Sequence, residues 1–168
     1  MMRKWIACGL CLALAACASY DGAGLRPGAS GDEIRSAMGE PGTIWREADG
    51  GATWEYARGP QGLHTYMARL GNDGRLREIR QVLNIETFAS IRPGTTTREE
   101  VRRLLGAPAR ELYFVLKHEQ VWDYRYFDEV SRYDYAFSVH FNPLGVVSGT
   151  ETTPDDPRFF ASGPDGLN

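Results

Sequence analysis

The sequence predicts an α+β fold built from two tandem units, each a short helix or helix pair packed on a small antiparallel β-meander. Two observations carry this prediction. One helix signature occurs twice, first from Leu25 to Pro41 and again from Ile91 to Pro108. After each copy come short alternating segments separated by turn residues, which is the pattern of a meander. The spacing is regular. Gly39 and Gly106, like Pro41 and Pro108, are 67 positions apart, Trp54 and Trp122 are 68 apart, and Gly74 and Gly145 are 71 apart. The drift falls in turns, where insertions are tolerated.

The chain opens with Arg3 and Lys4 ahead of an apolar run to Ala16, too short to span a bilayer comfortably. Residues 1–16 therefore read as a secretory signal. Its end, Leu14-Ala15-Ala16-Cys17, resembles the bacterial lipobox, which implies that Cys17 is acylated and becomes the first mature residue. Residues 17–24 then form a lipidated tether, and Ala18 to Gly24 extend at most about 25 Å. Ala18 after the cysteine, by resemblance to lipoprotein sorting, favours the outer membrane. Cys8 and Cys11 leave with the signal, so no thiol remains for a disulfide, metal or nucleophile.

The first unit spans residues 25–84. Ser30 followed by Glu33 is a capping box. Ile34, Ala37 and Met38 form an apolar stripe, and Gly39 with Pro41 ends the helix in a left-handed cap. Strands follow at Thr43–Arg46, Thr53–Arg58, His64–Leu70 and Arg75–Leu83. Leu76 and Ile79 are out of phase, which points to a bulge. Residues 84–90 lack linker composition, so Phe88 and Ile91 should dock as a short helix and hold the units in fixed relation. The second unit spans residues 85–152. Thr97 and Glu100 repeat the capping box, Val101, Leu104 and Leu105 the stripe, and Gly106 with Pro108 the stop. Strands are predicted at Glu111–Lys117, Gln120–Phe127, around Tyr135 to Phe141, and at Val146–Thr150. Residues 153–168 lack periodicity and read as a mobile tail.

With the lipobox, the segment Ile91 to Pro108, Trp122-Asp123-Tyr124 and Phe141 to Val147 resemble the SmpA/OmlA (BamE-like) outer-membrane lipoprotein family. The first unit is a weaker copy. Members of that family carry one such unit, and the tandem arrangement here is similar to that of the beta-lactamase-inhibitor family. The resemblance implies a lipid-anchored protein on the periplasmic face of the outer membrane. Its partners would be outer-membrane lipid, through acylated Cys17, and the β-barrel assembly machinery. The alternative it implies is an inhibitor or adaptor that captures an envelope enzyme.

Residue chemistry favours a surface over a reaction. The mature chain has 17 basic and 22 acidic residues, −5 overall, with no general attraction for nucleic acid. His64, His118 and His140 lack metal-ligand spacing. No phosphate loop or dinucleotide fingerprint occurs, so no cofactor, metal, catalytic residue or small-molecule substrate is expected. Asp123, Asp128, Glu129 and Asp134 surround one hairpin, and an acid–base pair of His140 and Asp123 is a third, weaker reading. Trp54, Tyr56, Trp122, Tyr124, Tyr135, Phe137 and Phe141 alternate and are assigned to the cores. The opposite strand faces remain, and Glu55, Met67, Arg69, Asp123, Arg125 and His140 on them are the expected partner-binding residues.

Overall fold

The computed structural model describes residues 21–58 and 62–155. The signal segment, Cys17 and the tail beyond residue 155 lie outside them. The elements run α1 (Gly31–Met38), β1 (Thr43–Arg46), β2 (Ala52–Arg58), β3 (His64–Leu70), β4 (Leu76–Gln81), α2 (Ile85–Phe88), α3 (Arg98–Leu105), β5 (Arg110–Phe114), β6 (Glu119–Asp128), β7 (Tyr133–Phe141) and β8 (Val147–Pro154). They form two four-stranded antiparallel sheets, β1-β2-β3-β4 and β5-β6-β7-β8, so each unit is a helix followed by a meander.

Both long helices begin where the capping boxes place them. The Ser30 hydroxyl accepts from the Glu33 amide while the Glu33 carboxylate accepts from the Ser30 amide at 2.7 Å. Thr97 and Glu100 do the same, also at 2.7 Å. Each box satisfies two backbone donors that a helix start leaves orphaned. The helix ends differ from expectation. Gly39 (φ 79°, ψ −168°) and Gly106 (φ 83°, ψ −162°) are not left-handed helical but occupy a region open essentially to glycine alone.

In the first unit Ile34 and Met38 of α1 pack on Trp54, Tyr56, Ala68, Leu70 and Leu76. In the second, Val101 and Leu105 of α3 pack on Trp122, Tyr124, Tyr126, Phe137, Val139, Phe141 and Val147. Six of the seven aromatics assigned to the cores are buried, and Tyr135 is partly buried against the second core. Leu104 departs from its stripe: it stays 36% exposed, on the flank of α3 that borders an open groove with Gln81, Val82, Asn84 and Ser90. The joining segment docks as a helix capped by Asn84, and Leu83, Phe88 and Ile91 are part of the second core.

The phase break on β4 is a bulge. Arg69 pairs with Glu78 and Leu70 with Leu76, leaving Arg77 as the extra residue, so Leu76 and Ile79 both reach the helix side. The second unit has the same device at Ser148, between the pairs His140–Gly149 and Phe141–Val147. Two strand ends shift by three residues or more. β5 ends at Phe114, and residues Val115–Lys117 form one 3-10 turn closed by His118 at φ 48°. β8 extends to Pro154, so it takes in the first two residues expected in the tail.

Candidate protein-docking surface

The units meet through α3. Its Val101 and Leu105 face their own sheet, so Arg102 and Arg103 face away from it, and there they meet the outer face of the first sheet. Alternation on β2 puts Glu55 on that face, opposite Trp54 and Tyr56. Its carboxylate accepts from Arg102 Nη1 at 2.6 Å, from the Ala107 amide at 2.9 Å and from Trp45 Nε1 at 3.4 Å. Arg102 and Arg103 lie 5.2 and 5.1 Å from the Trp45 ring centroid, and Arg103 pairs with Glu47 at 3.6 Å. A Cβ on Gly106 would stand 2.9 Å from Glu55 Oε1 and 3.0 Å from Thr65 Cγ2, so glycine permits this approach. The layers are thus α1, first sheet, α3, second sheet. Desolvation offsets much of the attraction in a buried ion pair, so the latch contributes more to fixing the relation of the units than to net stability.

The outer face of the second sheet is organised by cross-strand ion pairs. Asp123 Oδ2 accepts from Arg110 Nε and Nη2 at 3.0 and 2.8 Å, and Oδ1 accepts from the Ser138 hydroxyl at 2.6 Å. Arg125 Nε and Nη2 donate to Asp155 Oδ2, at 2.8 Å for Nε. His140 Nδ1 lies 3.2 Å from Glu119 Oε1. Asp123 and His140 are therefore each bound to a different partner and not to one another. Tyr124 donates to the Gly106 carbonyl at 3.2 Å, and burial pushes its phenol well above the ordinary value, so it stays neutral.

This placement corrects the expectation of an open face. Glu55, Met67, Asp123 and Arg125 are only 3, 6, 2 and 4% exposed, so four of the six expected partner-binding residues lie inside the molecule. Only Arg69, with a side chain 56% exposed, and His140, at 26%, remain reachable. The reason is that strand alternation separates two faces but does not say what lies beyond either. Of the other histidines, His118 closes the 3-10 turn, and half-buried His64 lines an open groove of about 490 Å³ with Tyr66, Tyr126, Phe127, Asp128 and Glu129.

The structure also exposes a feature that alternation hides. Tyr113, Phe114, Val115 and Leu116 are 60, 48, 67 and 99% exposed at the β5–β6 turn. The signal for it is the unbroken apolar run Leu112 to Leu116, which has no polar face to turn outward. Among the described residues no helix is long and apolar enough to cross a membrane, and no group of His, Cys, Asp and Glu is placed to hold a metal.

No curated protein matches the chain. The chain is similar to solved structures. A DUF4309 family protein from Bacillus subtilis is 19% identical, with 76% of this chain and 79% of that chain covered at a TM-score of 0.29. A putative beta-lactamase inhibitor protein from Streptococcus mutans is 15% identical, with 81% and 89% covered at a TM-score of 0.32. Residues 81–151, from the end of β4 into β8, match the family model described as the outer membrane protein assembly factor BamE domain. The second unit, with the linker that completes its core, is BamE-like, as the segment Ile91 to Pro108 and its aromatic strands imply.

Proposed function

We propose that this protein is a lipid-anchored lipoprotein on the periplasmic face of the outer membrane, where it serves as a non-catalytic scaffold in the assembly of β-barrel proteins. The observation that carries the proposal is the match of residues 81–151 to a domain described as an outer-membrane assembly factor. The organisation of the chain supports it. Cys17 carries the acyl chains, and the short tether holds both units near the membrane, which raises their effective concentration beside a membrane complex. The latch around Glu55 keeps the units in one relation, so the partner meets a preorganised surface and loses less freedom on binding. On that surface Arg69 and His140 make direct contacts, while Glu55, Met67, Asp123 and Arg125 hold its shape from within.

The test is affinity capture of the tagged, processed protein from detergent-solubilised envelopes. Recovery of barrel-assembly subunits is the expected outcome. Recovery of a periplasmic hydrolase without those subunits would replace the proposal with an inhibitor or adaptor role. In the same strains, Cys17→Ser moves the protein out of the membrane fraction; persistence there would remove the lipid anchor from the proposal.

A further inference from the structure

In the order α1, first sheet, α3, second sheet, the second sheet is the last layer, so the face it turns away from α3 should be wet. Yet β6 is buried without a break from Val121 to Tyr126. Trp122, Tyr124 and Tyr126 belong to the core below, whereas Val121, Asp123 and Arg125 point the other way. Ala136, which pairs with Arg125 on that far face, is only 4% exposed. The buried strip is narrow, because Glu151 and Thr153 of β8, on the same face, are exposed. It begins at Asp155, whose amide donates to the Asp134 carbonyl at 3.0 Å. The Asp155 carboxylate turns over the face to Arg125, and its side chain is 1% exposed. From there the strip crosses Ala136 and Arg125 to the Asp123–Arg110 pair at the start of β5. Another sheet laid on this face would cover β8 as well, whereas a single crossing segment covers a strip.

The chain itself supplies such a segment. The described residues end at Asp155, on the strip, and residues 156–168 continue from there. With neighbouring strands roughly 4.8 Å apart, β5 lies roughly 14 Å from β8. Asp156 to Phe160 reach at most about 18 Å, enough to cross. Other segments outside the described residues fit less well. Residues 59–61 are Gly-Pro-Gln and carry no large apolar side chain, and the chain before Asp21 comes in beside Ile79 and Met38, on the helix side of the first sheet. The chemistry agrees with the reach. Val121 and Ala136 need an apolar cover, and the Arg125–Asp155 and Arg110–Asp123 pairs are held best under one that brings no water back. Aromatic rings stack on guanidinium groups, and Phe159 and Phe160 are the only aromatic residues after Asp155. Asp155 Oδ1 is buried with no hydrogen-bond partner among the described residues. The next donors along the chain are the amides of Asp156 and Arg158 and the Arg158 guanidinium. We propose that residues 156–160 fold back as a strap across the outer face of the second sheet, with the Phe159 and Phe160 rings over the guanidinium groups of Arg125 and Arg110. The strap closes this face in the free protein, so a partner that docks here meets the strap or displaces it. The strap does not depend on the lipid anchor.

The experiment reads the reactivity of a thiol placed under the strap. The chain from residue 17 onward, with Cys17→Ser, has no other cysteine. It receives Ala136→Cys on the outer face or, as a control, Val139→Cys on the inner face of the same strand, a site 0% exposed. In the full-length chain both thiols should react slowly with a maleimide. Ending the chain after Asp155, or combining Phe159→Ala with Phe160→Ala, should speed the thiol at 136 by roughly tenfold or more and leave that at 139 slow, because only the outer face has been opened. Fast reaction at 136 in the full-length chain overturns the strap. Slow reaction at 136 in the chain that ends at Asp155 also overturns it and assigns the cover to the first unit. Protection at 136 that is lost on dilution overturns it in favour of a second copy. Equal acceleration at both sites means that the shortened chain has loosened, and a nitroxide on Ala161→Cys of the full-length chain then decides. Broadening of the Asp123, Arg125 and Ala136 amide signals beyond that seen in α1 supports the strap, and broadening no greater than in α1 overturns it.

Discussion

Glu55 shows what one residue does for this fold. It stands on a strand between two core aromatics and accepts hydrogen bonds from an arginine, a backbone amide and an indole, two of them belonging to the other unit. Glu55→Ala should lower stability by about 2–3 kcal/mol, because the Ala107 amide loses its acceptor while Arg102, 23% exposed, turns to water. Urea unfolding measures this, and a loss below half that amount would mean that the units lean little on the latch. Gly106 tests the same junction by size. Gly94 also has a positive φ, 83°, but open space around its would-be Cβ. Gly94→Ala should cost about 1–2 kcal/mol from backbone strain alone. Gly106→Ala should cost clearly more, since its Cβ meets Glu55 and Thr65 as well. The side of the strand that Glu55 takes was legible from Trp54 and Tyr56. Its partner was not, because Arg102 lies 47 positions further along the chain and no local pattern links the two.

At the scale of elements, the most local signals were the most legible. A capping box spans four residues and contains its own chemistry, so α1 and α3 begin where Ser30 and Thr97 predict. Thr97→Ala should destabilise by about 1 kcal/mol, read from the urea midpoint at constant slope. The boxes also give stability a pH dependence of known sign. Hydrogen bonds from the Ser30 and Thr97 backbone amides, then from their hydroxyls, hold the Glu33 and Glu100 carboxyls below their ordinary value of 4.5. A carboxyl depressed in the folded state contributes fully above its unfolded value and loses that contribution as pH falls through the folded one. Thermal unfolding followed downward from pH 5 should therefore show a fall that Glu33→Gln and Glu100→Gln flatten. An unchanged slope in the double variant would assign the acid sensitivity elsewhere. The β4 bulge was legible for a similar reason, as a break of phase within six residues. The β5–β6 turn was not: an apolar run reads as a buried strand until the sheet order shows that its strand is an edge and its turn stands clear of the body.

For the whole molecule, the repeat in sequence is not an equality in packing. The first core is built by α1 and its own sheet. The second recruits Leu83, Phe88 and Ile91 from the joining segment and is the larger, with twelve buried residues against seven among the described residues. Its aromatics also stack, with Phe88 and Phe137 centroids at 4.0 Å and the Trp122 and Phe141 rings edge-on at 5.0 Å. Small domains are marginal because so little of their surface is interior. The consequence should appear on division of the chain. A fragment covering residues 81–155 keeps every member of its cluster and loses, across the junction, the acceptors of Arg102, Arg103 and the Val82 and Ala107 amides, which water can replace. A fragment covering residues 21–80 loses α3 from the outer face of its sheet, leaving Thr65 and Glu55 uncovered around a core that is already small. The first fragment should unfold cooperatively in urea and the second should not, and mixing the two should restore order to the second. Cooperative unfolding of residues 21–80 alone, at a stability equal to that of residues 81–155, would contradict this: each sheet would then stand on its own helix, and α3 would be a spacer between independent domains and not the layer that makes one body of them.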